Sequence, residues 1–223
     1  RMKDKDNKVV GRRTLLTNMG VAAVAGLAVS TSSVSAQAQG RPAGYEPARH
    51  SKDSWMGELE GSHRVFIDSA TIPGGANAMR YANNIISAHE EDYAGDASDY
   101  ALIVCFRHGS TPLAFNDAVW EKYGAMFNRN ADPAPTSNPM NTASFSNGQN
   151  TLASLGEQGV KFVICNRATR SFSKSLASAT GASADDVYAE LVAGAIPNSR
   201  FAAAGVLAAT RAQEYRFSLL YAE

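Results

Sequence analysis

The chain has 223 residues and no formal net charge, and 44% of its residues are hydrophobic and 19% charged, ordinary values for a globular protein. Residues 1–38 hold six of the 21 basic and two of the 21 acidic side chains, so residues 39–223 keep 15 basic and 19 acidic ones, a charge of about −4. A mildly acidic chain without a run of Lys or Arg is not a nucleic-acid-binding protein.

The first 38 residues have the three parts of a signal peptide. A lysine-containing start leads to Arg12 and Arg13, a Gly- and Ala-rich apolar run covers residues 19–29, and small residues end the segment. The paired arginines indicate the twin-arginine (Tat) translocon, so we expect signal cleavage and a soluble periplasmic protein. The alternatives are an uncleaved membrane anchor or a chance Arg-Arg pair in an ordinary secretory signal. The apolar run is a poor membrane anchor, because a spanning helix needs roughly 20 strongly apolar residues.

Residues 39–62 are polar and contain Gly and Pro, which predicts a tether before the folded domain of residues 63–223. Within that domain, residues 125–147 are rich in Asn, Pro and Ser and predict a long insertion. Such loops often form lids or partner surfaces.

Strand and helix patterns alternate from residue 63 onward. Apolar runs predict five strands, at about 64–68, 100–106, 160–165, 201–204 and 216–221. Helical spacing predicts helices between them; one is predicted to start at Thr111–Pro112, a hydroxyl cap followed by Pro, and to end at Gly124. The alternation predicts an α/β domain with a mostly parallel sheet and helices on both faces.

Two cysteines, Cys105 and Cys165, end predicted central strands. In an open α/β sheet, ligands bind beyond the carboxyl ends of the strands. Each cysteine also precedes a predicted helix, whose free N–H groups favour an anion. Nearby cationic and polar side chains are Arg107, His108, Asn166, Arg167 and Arg170. This setting favours the reactive thiolate form of cysteine.

Less reactive interpretations of these residues stay open. Either cysteine could be a small buried side chain, or the two could form a disulfide if their Cα atoms lie within about 7 Å. His108 could simply hold a turn, and Arg167 and Arg170 could be solvated helix residues. The sequence contains no paired-His, Cys-x-x-Cys, P-loop, dinucleotide-binding or serine-hydrolase motif, so we expect no cofactor and no metal.

The segment 63–221 resembles the DsrE/DsrF-like family of sulfur-relay proteins, and in particular a twin-arginine-exported branch of it. The similar segments are Ala82-Asn83-Asn84, His108-Gly109, Val163-Ile164-Cys165-Asn166, and Ala204-Gly205-Val206 through Glu214. The chain differs from the family in Arg107 before the histidine, in a second strand-end cysteine, and in the insertion.

The resemblance implies a three-layer α/β domain with a five-stranded sheet, assembled as a trimer or hexamer. It implies that Cys165 carries persulfide sulfur, with His108 as a proton donor or acceptor and Cys105 as a resolving thiol or a bystander. The anion-binding groups would be Arg107, Asn166, Arg167 and Arg170.

The expected function is therefore that of a periplasmic sulfur carrier or sulfurtransferase-like protein, which exchanges sulfur with a donor or acceptor protein. One alternative is a non-enzymatic module that binds a small anion or a partner in the same crevice, with residues 128–147 supplying specificity. A weaker alternative is a structural subunit stabilised by a disulfide.

Overall fold

The computed structural model describes residues 46–141 and 151–223. The predicted signal peptide, including Arg12 and Arg13, and the last part of the predicted insertion lie outside the described residues. Seven α-helices and five strands are described. The helices are α1 (Trp55–Glu58), α2 (Ile72–Tyr93), α3 (Asp117–Phe127), α4 (Leu152–Glu157), α5 (Asn166–Thr180), α6 (Ala184–Ala193) and α7 (Gly205–Glu214). The strands are β1 (His63–Ser69), β2 (Tyr100–Phe106), β3 (Lys161–Cys165), β4 (Ser199–Ala202) and β5 (Ser218–Ala222).

The five strands form one sheet in the order β4-β3-β2-β1-β5, and every neighbouring pair is parallel. The chain therefore winds outward from β1 to β4 and then returns through α7 to place β5 on the other side of β1. Helices cover both faces, so the predicted three-layer α/β fold is confirmed.

Two apolar clusters lie on the two faces of the sheet. The larger one packs α2, α3, α5 and α6 against side chains such as Leu102, Val104 and Ile164. The smaller one packs α1 and α7 against alternate residues of the same strands, including Ile103 and Cys105. This alternation follows from the two-residue period of a strand, and it directs Cys105 toward α7.

The prediction that an α-helix starts at Thr111–Pro112 and ends at Gly124 was wrong. Residues His108–Ala114 form a 3₁₀ helix, and α3 starts only at Asp117, where the Asn116 side chain accepts the Val119 N–H at 3.1 Å. The helix also continues past Gly124 to Phe127.

A buried asparagine explains the break before α3. The Asn138 side chain donates to the carbonyls of Leu113 and Phe115, at 2.8 and 2.7 Å, so it satisfies acceptors that a continuous helix would have used internally. Gly124 does not end the helix. A glycine is needed there because the Pro135 carbonyl packs so close to α3 that a Cβ at position 124 would collide with it. The start of the predicted insertion is thus packed on the domain.

The end of the predicted tether also packs on the domain. Met56 of α1 is buried, and the Arg64 guanidinium donates to its carbonyl at 2.9 Å and to that of Leu59 at 2.6 Å. The Arg200 guanidinium lies 5.2 Å from the centre of the Trp55 ring. In the part of the chain that the structure describes, no helix has the length and apolar character needed to cross a membrane.

Candidate functional site

The two cysteines lie on neighbouring strands and on the same face of the sheet, but they are not side by side. Cys105 is opposite Val163 in the β2–β3 register, so Cys165 is two residues farther along. Strand spacing of about 4.8 Å and a two-residue rise of about 6.6 Å place the Cα atoms about 8 Å apart. That exceeds the usual reach of a disulfide, and both thiols are free.

Cys105 is fully enclosed. Its side chain is 0% exposed, and α7 begins so close above it that a Cβ on Gly205 would lie 3.2 Å from the Cys105 Sγ. Burial, followed by the nearby Asp68 carboxylate, raises the pKa of the Cys105 thiol well above its usual value. Cys105 is therefore held as a neutral thiol, which is a poor nucleophile.

A buried ion pair lies beside Cys105, and its acid is not among the site residues predicted from the sequence. Asp68, opposite Cys105 in the β1–β2 register, accepts the Arg107 Nε–H at 2.8 Å and an Nη2–H, also at 2.8 Å. Asp68 raises the pKa of the Arg107 guanidinium. The sequence signal that points to it is an acidic residue directly after the apolar run Val65-Phe66-Ile67, near the carboxyl end of β1. Arg107 is thus engaged by Asp68 rather than free for an outside anion.

His108 is exposed and adopts a left-handed backbone conformation, with φ of 50°. Its Nδ1 lies 3.2 Å from Arg107 Nη1. Because a guanidinium only donates, Nδ1 accepts and the proton of the neutral ring is on Nε2. A non-glycine residue in this conformation costs of order 1–3 kcal/mol, and such strain clusters at functional sites.

The surrounding turn holds His108 in place. The Arg107 backbone N–H donates to the Ser110 hydroxyl at 2.9 Å and to the Ser69 carbonyl at 3.2 Å. Ser69 and Ser110 are both fully buried. These contacts fix the backbone at the point where β2 ends, so the conformation of His108 is set by buried groups beneath it.

Cys165 is the last residue of β3 and also the residue before the first turn of α5. It is 4% exposed and lines a cavity. The Thr169 hydroxyl donates to the Cys165 carbonyl at 3.0 Å, which fixes the backbone there. Among the described residues, no group forms a hydrogen bond with the Cys165 thiol.

The helices differ in how their first N–H groups are satisfied. Each of α2, α3, α4 and α6 has a side-chain cap, supplied by Thr71, Asn116, Thr151 and Ser183 respectively. In contrast, α5 and α7 follow Cys165 and Ala204 and have no side-chain cap. Among the described α-helices of six or more residues, these two alone lack one. Both begin at the same cavity, where their free N–H groups and dipoles favour a negative charge.

The cavity has a volume of about 780 Å³, a size typical of small-molecule sites. Its polar lining includes Cys165, His108 and Arg167 together with the two uncapped helix starts. An apolar wall also lines it and includes Phe127 and Phe172, whose rings meet edge to face with centres 5.6 Å apart. The site can therefore hold a ligand that has both an anionic and an apolar part.

The other two predicted anion-binding residues face α6 instead. The Tyr188 hydroxyl donates to Asn166 Oδ1 at 2.7 Å, and the Arg170 guanidinium lies 4.1 Å from the centre of the Tyr188 ring. The structure thus brings Cys165, His108 and Arg167 together at the cavity, and it engages Arg107, Asn166 and Arg170 in contacts within the fold.

No protein-family profile matches this chain, and no curated protein matches it. The similarity to the DsrE/DsrF-like family therefore stays a prediction from short sequence motifs. Within residues 46–141 and 151–223, no three His, Cys, Asp or Glu side chains are grouped as ligands for a metal ion. What the described site offers chemically is a thiol, hydrogen-bond donors and positive charge.

Proposed function

We propose that this protein is a periplasmic sulfur carrier or sulfurtransferase-like protein in which Cys165 carries the sulfur as a persulfide. The observation that carries the proposal is the position of Cys165. It is a thiol without a hydrogen-bond partner among the described residues, at a cavity where two uncapped helices begin. The sequence features of residues 1–38 support the export part of the proposal.

In the proposed step, the Cys165 thiolate attacks the outer sulfur of a donor R–S–SH. A bond forms between the Cys165 Sγ and that sulfur, the donor S–S bond breaks, and its electron pair leaves with R–S⁻. The product is Cys165–S–SH, and the leaving thiolate takes a proton from water. No oxidant is needed, because the sulfane sulfur passes from one thiol to another.

The surrounding groups stabilise negative charge in this step. The first N–H groups of α5 and α7 favour the attacking thiolate and the developing R–S⁻, as helix N-termini do for anions. In the tautomer set by Arg107, His108 offers Nε2–H as a hydrogen-bond donor to sulfur. In this tautomer Nε2 already carries a proton and cannot accept another, so in the proposed step His108 donates a hydrogen bond and transfers no proton. Arg167 adds positive charge at the same end of the cavity.

A second candidate is a non-enzymatic module that binds a small anion. The observation in its favour is that the two uncapped helix starts attract an anion with or without a thiol between them. In that case Cys165→Ser would bind the anion as well as the wild type does.

The test is the intact mass of the protein purified from the periplasmic fraction without reductant, before and after exposure to inorganic polysulfide. We expect an adduct heavier by one sulfur atom, which a reductant removes. The same measurement on Cys165→Ser should show no adduct, whereas Cys105→Ser, the matched control, should load as the wild type does.

Two outcomes would contradict the proposal. An adduct that persists in Cys165→Ser would move the chemistry to another residue. Free thiols that never load sulfur would remove the carrier function and leave the anion-binding module.

A further inference from the structure

We propose that the sulfur donor for Cys165 is a carboxylate-bearing organic persulfide of low molecular weight, rather than an inorganic sulfur anion. This inference rests on the proposed function, and it names the substrate class of the same cavity. It follows from three properties of the cavity, namely its length, the chemistry of its wall and the sign of its charges.

The cavity is too long for an inorganic anion alone. It extends along α5 from Ala168 beside Cys165 to Leu176, and eight residues at 1.5 Å per residue give about 12 Å. A water molecule accounts for about 30 Å³ of liquid, so an anion of four or five heavy atoms fills on the order of 150 Å³. The cavity volume of about 780 Å³ leaves room for a much larger body attached to the sulfur.

The cavity also has an apolar wall. Met126 and Phe127 at the end of α3 line it together with Phe172 and Leu176 of α5, and the Phe127 and Phe172 rings are in edge-to-face contact. Three of these four side chains are partly buried against the main core. Apolar surface of this kind binds the carbon skeleton of a ligand and gives nothing to a fully solvated inorganic ion. Ser171 and Ser175 lie along the same helix and provide hydroxyls beside it.

The charges around the cavity have one sign. Arg129 and Arg167 both line it, and no Asp or Glu is found among its described lining residues. Both arginines are exposed at the cavity, so their guanidinium groups are available for a carboxylate, which they bind with two parallel hydrogen bonds. The complementary ligand is therefore an organic anion whose sulfur reaches Cys165 while its carboxylate reaches an arginine.

The reaction with such a donor is the same sulfur transfer between two thiols, and it needs no oxidant. The organic persulfide R–S–SH gives its outer sulfur to the Cys165 thiolate and leaves as the thiolate R–S⁻, which is protonated by water. In the reverse direction the same cavity would return the sulfur to an organic thiolate, because the exchange involves the same two S–S bonds.

The experiment measures the rate at which Cys165 gains sulfur, by rapid-quench intact mass, from glutathione persulfide and separately from inorganic polysulfide. Ser175 lies ten residues after Cys165, roughly 15 Å along the axis of α5, so a Trp there should fill the part of the cavity that is distant from the thiol. We expect Ser175→Trp to lower loading from glutathione persulfide at least tenfold and to leave loading from polysulfide unchanged. Ser178→Trp is the matched control, because Ser178 is an exposed α5 residue outside the cavity lining, and it should load from both donors at the wild-type rate.

The two proposals fail in different ways. If Ser175→Trp loads from glutathione persulfide as fast as the wild type, the organic donor is overturned and the sulfur-carrier function stands. If neither donor loads wild-type Cys165, the sulfur-carrier function itself is wrong. Ser171→Trp is a second blocking variant at the cavity, and unchanged polysulfide loading shows that either variant is folded.

Discussion

The two strand-ending cysteines have similar sequence surroundings and very different structural ones. Both come after apolar residues, and both precede an arginine by two residues. Yet Cys105 is sealed beneath the first residue of α7, whereas Cys165 is the last residue before α5 and borders a cavity. The comparison teaches that the end of a parallel strand does not make a thiol reactive. The element that covers the thiol decides its reactivity.

The difference has a local cause in the segment after each strand. After β2, Arg107 folds back to pair with Asp68, and the chain continues as a 3₁₀ helix. Gly205, which lacks a side chain, then lets α7 close over Cys105. After β3, α5 begins at once with Asn166, so the first N–H groups of that helix surround the position of Cys165.

The largest expected effect is on the reactivity of the two thiols in the native protein. We expect iodoacetamide to alkylate Cys165 through the cavity, and Cys105 only when the structure opens. An opening that costs about 4 kcal/mol slows alkylation roughly a thousandfold. Peptide mass analysis over a time course measures both rates in one sample.

The control for this prediction is the same reaction in denaturant. Both cysteines should then react at similar rates, because burial no longer separates them. Equal rates in the native protein would show that α7 does not protect Cys105, and the contrast between the two thiols would be lost.

The next effect concerns the buried ion pair that accompanies Cys105. Asp68→Ala leaves the Arg107 guanidinium, whose side chain is 15% exposed, without its carboxylate. Removing one partner of a buried ion pair costs about 3–5 kcal/mol, and the partial exposure of Arg107 places this case near the lower value. We expect a lower urea midpoint and faster alkylation of Cys105, with the native-state alkylation of Cys165 much less affected.

Lys122→Ala is the matched control for Asp68→Ala. Lys122 also forms an ion pair, with Glu190, but the Lys122 side chain is 54% exposed. Exposed pairs contribute little because water screens them. A urea midpoint for Lys122→Ala as low as that for Asp68→Ala would mean that burial does not distinguish the two pairs.

Most of the fold could be predicted from the sequence, because buried parallel strands have continuous apolar runs. Residues 100–106, for example, were predicted and found as β2. The start of α3 was not predicted, although Asn116 is a local helix-start signal. The break before it also depends on Asn138, which binds the Leu113 and Phe115 carbonyls from more than 20 residues away. Local signals such as Thr111–Pro112 contain no information about such a contact.

Only those parts of the candidate site that lie directly after a strand could be predicted from the sequence. The positions of Cys165 and His108 at the carboxyl edge of the sheet follow from the alternation of strands and helices. Arg107 and Arg170 look alike in the sequence, as cations near a cysteine, but their partners Asp68 and Tyr188 come from other elements. The apolar wall around Phe127 was not predicted either, because the helix was expected to end at Gly124.

The smallest expected effect is the contribution of Cys105 to the pH dependence of the free energy of unfolding. Its pKa is raised by burial and by Asp68, so the folded protein keeps the thiol proton at a pH where the unfolded thiol, with an ordinary value of 9.0, loses it. The native state then binds more protons than the unfolded state, so the stability that this thiol contributes is full below about pH 9 and falls as the pH rises above it. The free energy of unfolding should fall by up to about 1.4 kcal/mol per pH unit, the value for one proton.

Urea unfolding between pH 8 and about pH 10.5 should show this fall in the wild type and a shallower one in Cys105→Ala, which has no thiol to titrate there. Since every other titrating group is shared by the two proteins, parallel curves would show that Cys105 is not held as a neutral thiol, and its contrast with Cys165 would then rest on access alone.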